Sequence, residues 1–271
     1  MSPSSSGVLA VIFDISGTVL DYGSRAPVLA FVEMFARRGV AVTEDEARGP
    51  MGTHKIDHIW AMLSDPSIAQ RWEAATGRAP DRAILDELYK EFGPLQVEMV
   101  KNHCDVIPGV PEVVQRLRAR GIKIANTTGF DTWMMVDLIR LAGEGGYTPD
   151  LWVCPDQVGK GRPAPWMIHH AAKELGVYPL SSVVKVGDTV ADLQEAHNAG
   201  VWAVSVIHSG NETGRSREQL QAMSAAERQA RFDAARARLS VYGPHYIIDS
   251  SADLMPVIDD INARIARGER P

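Results

Sequence analysis

The chain has 271 residues, 45% of them hydrophobic, which is enough for one large domain or for a core domain carrying an insert. Its formal net charge of -6 argues against the basic footprint of a nucleic-acid-binding protein, and no apolar run reads as a signal peptide or a membrane span. Cys104 and Cys154 are the only cysteines, which suggests a reducing compartment such as the cytoplasm, without a disulfide framework or a zinc motif.

Residues 1–6 are small and polar and are expected to form a disordered tail. Residues 8–13 form an apolar run that ends in Asp14 and a polar, Gly-containing turn. That is the pattern of a buried parallel strand delivering a carboxylate to a loop. Helical periodicity follows over 27–38, 44–48, 55–63, 68–75 and 82–101, with strand signals nearly absent. From Gly109 onward helices alternate with short β-rich runs at 122–125, 151–153, 183–186, 202–206 and 246–248. Such alternation predicts βαβ units and a parallel sheet. A helical block that interrupts an α/β pattern after its first strand implies an α-helical cap inserted into a Rossmann-like parallel-sheet core. The cap is placed at 22–103 and the α/β core at 1–21 and 104–271. Residues 216–239, charged and Ala-rich, read as a solvated outer helical layer, and 253–267 as a closing helix.

Four loop sequences carry the chemistry. The first is Asp14-Ile15-Ser16-Gly17-Thr18, and Asn126-Thr127-Thr128-Gly129 follows the second apolar run. Gly161-Arg162-Pro163 opens a further helical segment, and Gly187-Asp188-Thr189-Val190-Ala191-Asp192 ends a later strand. Alone, each has a plain reading: an Asx turn for Asp14, a surface cation for Arg162, a helix-face acid for Asp192. Together, in this order, they resemble the haloacid dehalogenase superfamily of phosphoryl-transfer enzymes. Phosphoryl transfer needs a nucleophile in line with phosphorus and positive charge around the equatorial oxygens. The resemblance implies Asp14 as nucleophile, forming an aspartyl phosphate. Asp188 would share a Mg²⁺ with Asp14, because hard cations prefer carboxylate oxygens. The Ser16 carbonyl would be a further ligand, and Asp192 would order the metal's waters or bind it directly. Thr128 would donate its hydroxyl to the phosphoryl group, Gly129 would let a backbone N–H approach, and Arg162 would neutralise charge.

Ser16 occupies the position where phosphatases of the superfamily usually carry a second acid, which protonates the leaving group. Serine has no comparable acidity, which points to unusual bond cleavage. The segments 46–58, 21–27 and 161–167 resemble the phosphonoacetaldehyde hydrolase family over nearly the whole chain. There the lysine matching Lys55 forms a Schiff base with the substrate aldehyde, with the residues matching Met51 and His58 around it. The resemblance also puts Ser16, Gly52, Gly129 and Phe130 against the substrate. A protonated imine two bonds from phosphorus accepts the electrons of the C–P bond as an enamine, so no acid for an alcohol leaving group is needed. Family members commonly carry alanine at position 16, a tyrosine at position 130 and a more apolar pair at Thr53-His54, so a shifted substrate preference stays open. The family further implies a phosphonate substrate and a homodimer formed through the cap. Read alone, Lys55 is a solvated helix lysine, His58 is either a proton relay or a structural histidine, and Met51 packs. Two rival readings are a Mg²⁺-dependent phosphomonoesterase on the same core and a non-catalytic binding protein on the same fold.

Overall fold

The computed structural model describes residues 7–271, so the expectation for 1–6 falls outside the described residues. The chain enters through β1 (Ala10–Phe13), whose four residues are all buried. They alternate between two hydrophobic clusters, Val11 and Phe13 on one face and Ala10 and Ile12 on the other. A strand covered on both faces gains from apolar residues at every position. Five helices follow: α1 (Arg25–Ala36), α2 (Glu44–Arg48), α3 (Lys55–Ser64), α4 (Pro66–Thr76) and α5 (Arg82–Asn102). They form the expected helical cap. Phe31 of α1 stacks on Phe92 of α5 at 4.4 Å, and Phe35 meets Trp72 of α4 edge-on at 5.9 Å. The chain enters the cap through Asp21, whose φ of 58° is left-handed. Its carboxylate receives the N–H groups of Arg25 (2.8 Å) and Ala26 (3.0 Å), which closes the start of α1.

After the cap come α6 (Val110–Ala119), β2 (Lys123–Thr127), α7 (Val136–Glu144), β3 (Leu151–Val153), α8 (Pro155–Val158) and α9 (Trp166–Glu174). Then follow β4 (Val183–Gly187), α10 (Val190–Ala199), β5 (Trp202–Val206), α11 (Arg217–Ala222), α12 (Ala225–Ser240), β6 (Tyr246–Ile248) and α13 (Leu254–Ala266). The six strands make one parallel sheet in the order β3-β2-β1-β4-β5-β6. The chain winds outward from β1 to β3, then returns to lay β4 against the other side of β1. That reversal is the topological switch point, where open α/β sheets hold their ligands. Phe13 is in register with Asn126 on one side and Val186 on the other, so Asp14, the 126–129 loop and Asp188 emerge together.

Three expectations are corrected. β2 runs two residues beyond 125, so Asn126 and Thr127 belong to the sheet. Helix α9 starts at Trp166, which leaves Gly161-Arg162-Pro163 in a loop ahead of it. The stretch 216–239 is two helices, broken where Ser224 caps α12, and it is not simply solvated. Leu220, Phe232, Ala235 and Leu239 pack one apolar face against the sheet, and a strongly charged composition hid that narrow stripe.

Candidate active site

β1, β2 and β4 each end in a polar loop at the switch point, and the loop before α9 brings a guanidinium between them. Arg162 is 2% exposed. Its Nη2 lies 2.7 Å from Asp14 Oδ1, its Nη1 3.1 Å from Asp192 Oδ1, and its Nε donates to Glu195 Oε2 at 2.9 Å. Burial opposes its charge, but these carboxylates more than offset that and hold it firmly protonated. Lys185, from the middle of β4, places Nζ 3.0 Å from Asp192 Oδ1 and donates to Thr127 Oγ1 at 2.7 Å. For Asp192, burial would raise the carboxyl pKa, yet Arg162 and Lys185 bring it below the usual range. Its Oδ2 accepts from Thr189 Oγ1 at 2.6 Å and from the Thr189 N–H at 3.2 Å. The Asp192 N–H donates back to Thr189 Oγ1 at 3.3 Å, which closes a capping box at the start of α10.

Asp188 differs from its neighbours. Its oxygens accept from Thr18 Oγ1 (2.6 Å) and from the Asn211 N–H (2.7 Å), and among the described residues no Lys or Arg pairs with it. Burial first, then the charges of Asp14 and Asp192, push its pKa well up. Asp14 is pushed the same way by burial, against the opposing pull of Arg162. One oxygen from each of Asp14, Asp188 and Asp192 lies within 4.8 Å of the others. Four buried carboxylates, counting Glu195, thus face two buried cations, Arg162 and Lys185. A divalent cation would balance that count, and an all-oxygen donor set suits a hard ion such as Mg²⁺.

The cap delivers Lys55 to the other side of the cavity. It is the first residue of α3 and is 3% exposed. Its N–H donates to Gly129 O at 3.1 Å, which docks α3 onto the loop after β2. Gly129 has to be glycine, since a Cβ there would collide with the Thr53 carbonyl. Lys55 Nζ sits 3.8 Å from Met51 Sδ, 4.9 Å from the Phe130 ring centre and 5.6 Å from that of Phe31. Burial lowers its pKa to about 7, with Arg162 acting the same way and Asp14 opposing. A helix N-terminus adds positive potential at the same place.

The enclosing cavity is lined by Asp14, Ser16, Met51, Gly52, Lys55, Thr128, Gly129, Phe130 and Arg162, together with Ser24 and Pro27. Its free space of about 20 Å³ holds little more than one water, so the cap is shut over the site. Thr128 Oγ1 accepts the Phe130 N–H at 3.2 Å, and the Gly52 carbonyl accepts from Arg162 at 3.2 Å. His58 lies outside the lining. It is fully buried, stacked on Phe31 at 3.9 Å, and its Nε2–H donates to Ala47 O at 2.9 Å. Burial and Lys55 hold it well below the usual imidazole range, so it is neutral, and its Nδ1 has no hydrogen-bond partner among the described residues.

Sequence reasoning missed the scaffold of Arg162: Thr127, Lys185 and Glu195. Signals existed. A lysine inside an otherwise apolar strand needs a buried counterion, and Glu195 lies one turn from Asp192 on α10. Thr18 and Asn211, which hold Asp188, gave no signal of their own because hydroxyls and amides are common in turns.

The model of the haloacid dehalogenase-like hydrolase family matches residues 8–200. A phosphonoacetaldehyde hydrolase of Paraburkholderia phytofirmans is 46% identical over 264 residues, 97% of this chain and 99% of that protein. One of Nitratidesulfovibrio vulgaris is 43% identical, covering 97% of this chain and 94% of its own. Among solved structures, a phosphonoacetaldehyde hydrolase-like protein from Oleispira antarctica superposes with a TM-score of 0.95 at 44% identity, over 97% of this chain and 96% of that one.

Proposed function

The chain belongs to the phosphonoacetaldehyde hydrolase family of the haloacid dehalogenase-like hydrolases, and from that premise we propose that it cleaves the C–P bond of phosphonoacetaldehyde to acetaldehyde and phosphate. The observation that carries this reading is Lys55. It is a buried amine without a carboxylate partner among the described residues, it shares a closed cavity with Asp14, and its pKa is lowered to about 7. A simple phosphomonoesterase has no use for such an amine.

The neutral Lys55 amine attacks the substrate aldehyde, and loss of water gives a protonated imine. Asp14 attacks phosphorus, and the C–P electron pair moves into a carbon–carbon double bond as the imine becomes an enamine. No acid is needed for an alkoxide, which accounts for Ser16. Protonation of the enamine carbon returns an imine, which water hydrolyses to acetaldehyde and free Lys55. A second water hydrolyses the aspartyl phosphate. Arg162 holds Asp14 in line and offsets phosphoryl charge, while Thr128 and the backbone at Gly129 bind the phosphoryl oxygens. Asp14, Asp188 and the Ser16 carbonyl would hold Mg²⁺, with Asp192 beside them, and the ion would supply charge neutralisation between nucleophile and phosphoryl group. Met51 packs on the amine, Gly52 and Phe130 shape the aldehyde end, and His58 serves as a buried neutral support beneath Lys55. The reading includes a cap spanning 22–103, a homodimer formed through it and a cytoplasmic location.

Borohydride with phosphonoacetaldehyde tests it. The expected result is inactivation with a two-carbon adduct on the Lys55 peptide, dependent on the aldehyde. Acetaldehyde release, coupled to a dehydrogenase, should exceed phosphate release from simple esters. No adduct, with faster turnover of esters, would return the phosphomonoesterase reading to first place.

A further inference from the structure

The loop after β2 carries an acid, Asp131, that the chemistry above does not use. Asp131 belongs to the sheet domain, and two cap side chains close on its carboxylate. His54 Nε2 lies 2.7 Å from Oδ1, and the Tyr89 hydroxyl donates to Oδ2. His54 is the residue immediately before Lys55 and stands at the N-cap of α3, while Tyr89 lies on α5. The His54 ring meets the Tyr89 ring edge-on at 6.2 Å. Burial acts to raise Asp131, but the bonds from His54 and Tyr89 outweigh it and keep the carboxylate ionised, so both contacts are donated by the cap. One turn beyond Tyr89 on α5, Gly93 receives the Trp133 ring so closely that any Cβ would collide with it. The segment from Asp131 to Trp133 is therefore gripped by the start of α3 and by one face of α5.

None of these residues lines the cavity. Their position still matters to it. The substrate needs an open cap to enter, whereas the burial that lowers the Lys55 pKa needs a shut one. A device that sets the closed state must lie where cap and core meet, outside the reaction space.

We propose that Asp131 is the latch of the cap, and that His54, Tyr89 and Asp131 are positioning residues that seat Lys55 over Asp14. The proposal rests on the Schiff-base reading and adds to it the residues that decide how much of the enzyme is closed. Opening the latch lowers the competent fraction and so the apparent affinity. It also hydrates Lys55, which keeps Phe31, Met51 and the neutral His58 of its own cap beside it but exchanges Phe130, Asp14 and Arg162 of the core for water. The acid limb of its pH profile moves up.

The test uses the full chain with Asp131→Ala, Tyr89→Phe, His54→Leu and His54→Gln, the last keeping an N–H donor toward Asp131. Thermal melts establish that each variant is folded. The expected result is a fall in kcat/KM of about tenfold or more at pH 7 for Asp131→Ala and His54→Leu. The acid limb should shift up by about one pH unit or more, which damage elsewhere in the fold would not produce. Borohydride trapping at Lys55 should slow in step, and His54→Gln should recover most of the loss. If Asp131→Ala does not fold, the contrast between His54→Leu and His54→Gln decides alone. A wild type trapped on Lys55, beside an Asp131→Ala variant with unchanged kinetics and an unmoved acid limb, overturns the latch and leaves the Schiff-base reading standing. His54→Gln as impaired as His54→Leu also overturns the latch. A wild type with no adduct on Lys55 overturns the Schiff-base reading and the latch's role with it.

Discussion

The two walls of the cavity solve opposite electrostatic problems. The core wall gathers buried carboxylates and compensates them with Arg162, Lys185 and a place for a divalent cation. The cap wall sets one amine against Met51 and Phe31, with Phe130 of the core closing over it, and among the described residues no carboxylate pairs with it. The difference follows from what each group has to be. A carboxylate nucleophile must stay charged at neutral pH, so it needs cations. An amine nucleophile must lose its proton, so it needs an apolar site and positive neighbours. Arg162 serves both walls at once, drawing the Asp14 pKa down against the effect of burial and pushing Lys55 toward neutrality.

Each wall can be broken separately. Asp14→Asn is nearly isosteric and should cut phosphate release about 10,000-fold or more, since the covalent step is lost. Lys55 should still be trapped by borohydride in that variant, and mass spectrometry of the Lys55 peptide checks it. Lys55→Arg should reduce acetaldehyde formation about 1,000-fold or more, because a guanidinium stays protonated and makes no imine. Calorimetric titration with Mg²⁺ should show its metal binding unchanged.

Asp188→Ala should weaken Mg²⁺ binding by about 100-fold in the same titration, with activity falling in parallel, and excess EDTA should inactivate the unmodified chain. A variant that binds Mg²⁺ as tightly as before would remove Asp188 from the donor set. The pH profile sharpens the cap wall. Lys55 has its pKa lowered to about 7, and the reactive form is the deprotonated one. Activity therefore rises as pH rises through about 7 and falls about tenfold per unit below it. Met51→Glu places an anion beside Nζ and should move that limb up by about one to three units. The smallest effect is expected from Ser16→Asp, a gain of about 10- to 100-fold in weak phosphate-ester hydrolysis. C–P cleavage should decline as the new carboxylate crowds the imine, and unchanged kinetics on both substrates would show that position 16 does not face the reaction.

The parallel sheet, the helical block after its first strand and the order of the acid, hydroxyl, cation and paired-acid loops were legible in the residues alone. Those features rest on local periodicity and on loops at strand ends, where the chemistry is written in a few consecutive residues. The core part of the candidate site was legible for that reason. Lys55 was legible only through resemblance, since its own surroundings in the chain, Thr53-His54-Lys55-Ile56-Asp57, read as the start of an ordinary helix. What makes it unusual is contact with Phe31, Met51 and Phe130, which only the closed cap assembles. The buried scaffold of Thr127, Lys185 and Glu195 depends on three separate elements meeting behind Arg162. The Asp131 grip requires α3, α5 and the loop after β2 to converge. Desolvation and long-range ion pairing are properties of that convergence. A residue's neighbours in space set its charge state, and a linear pattern carries no record of them until the fold has brought them together.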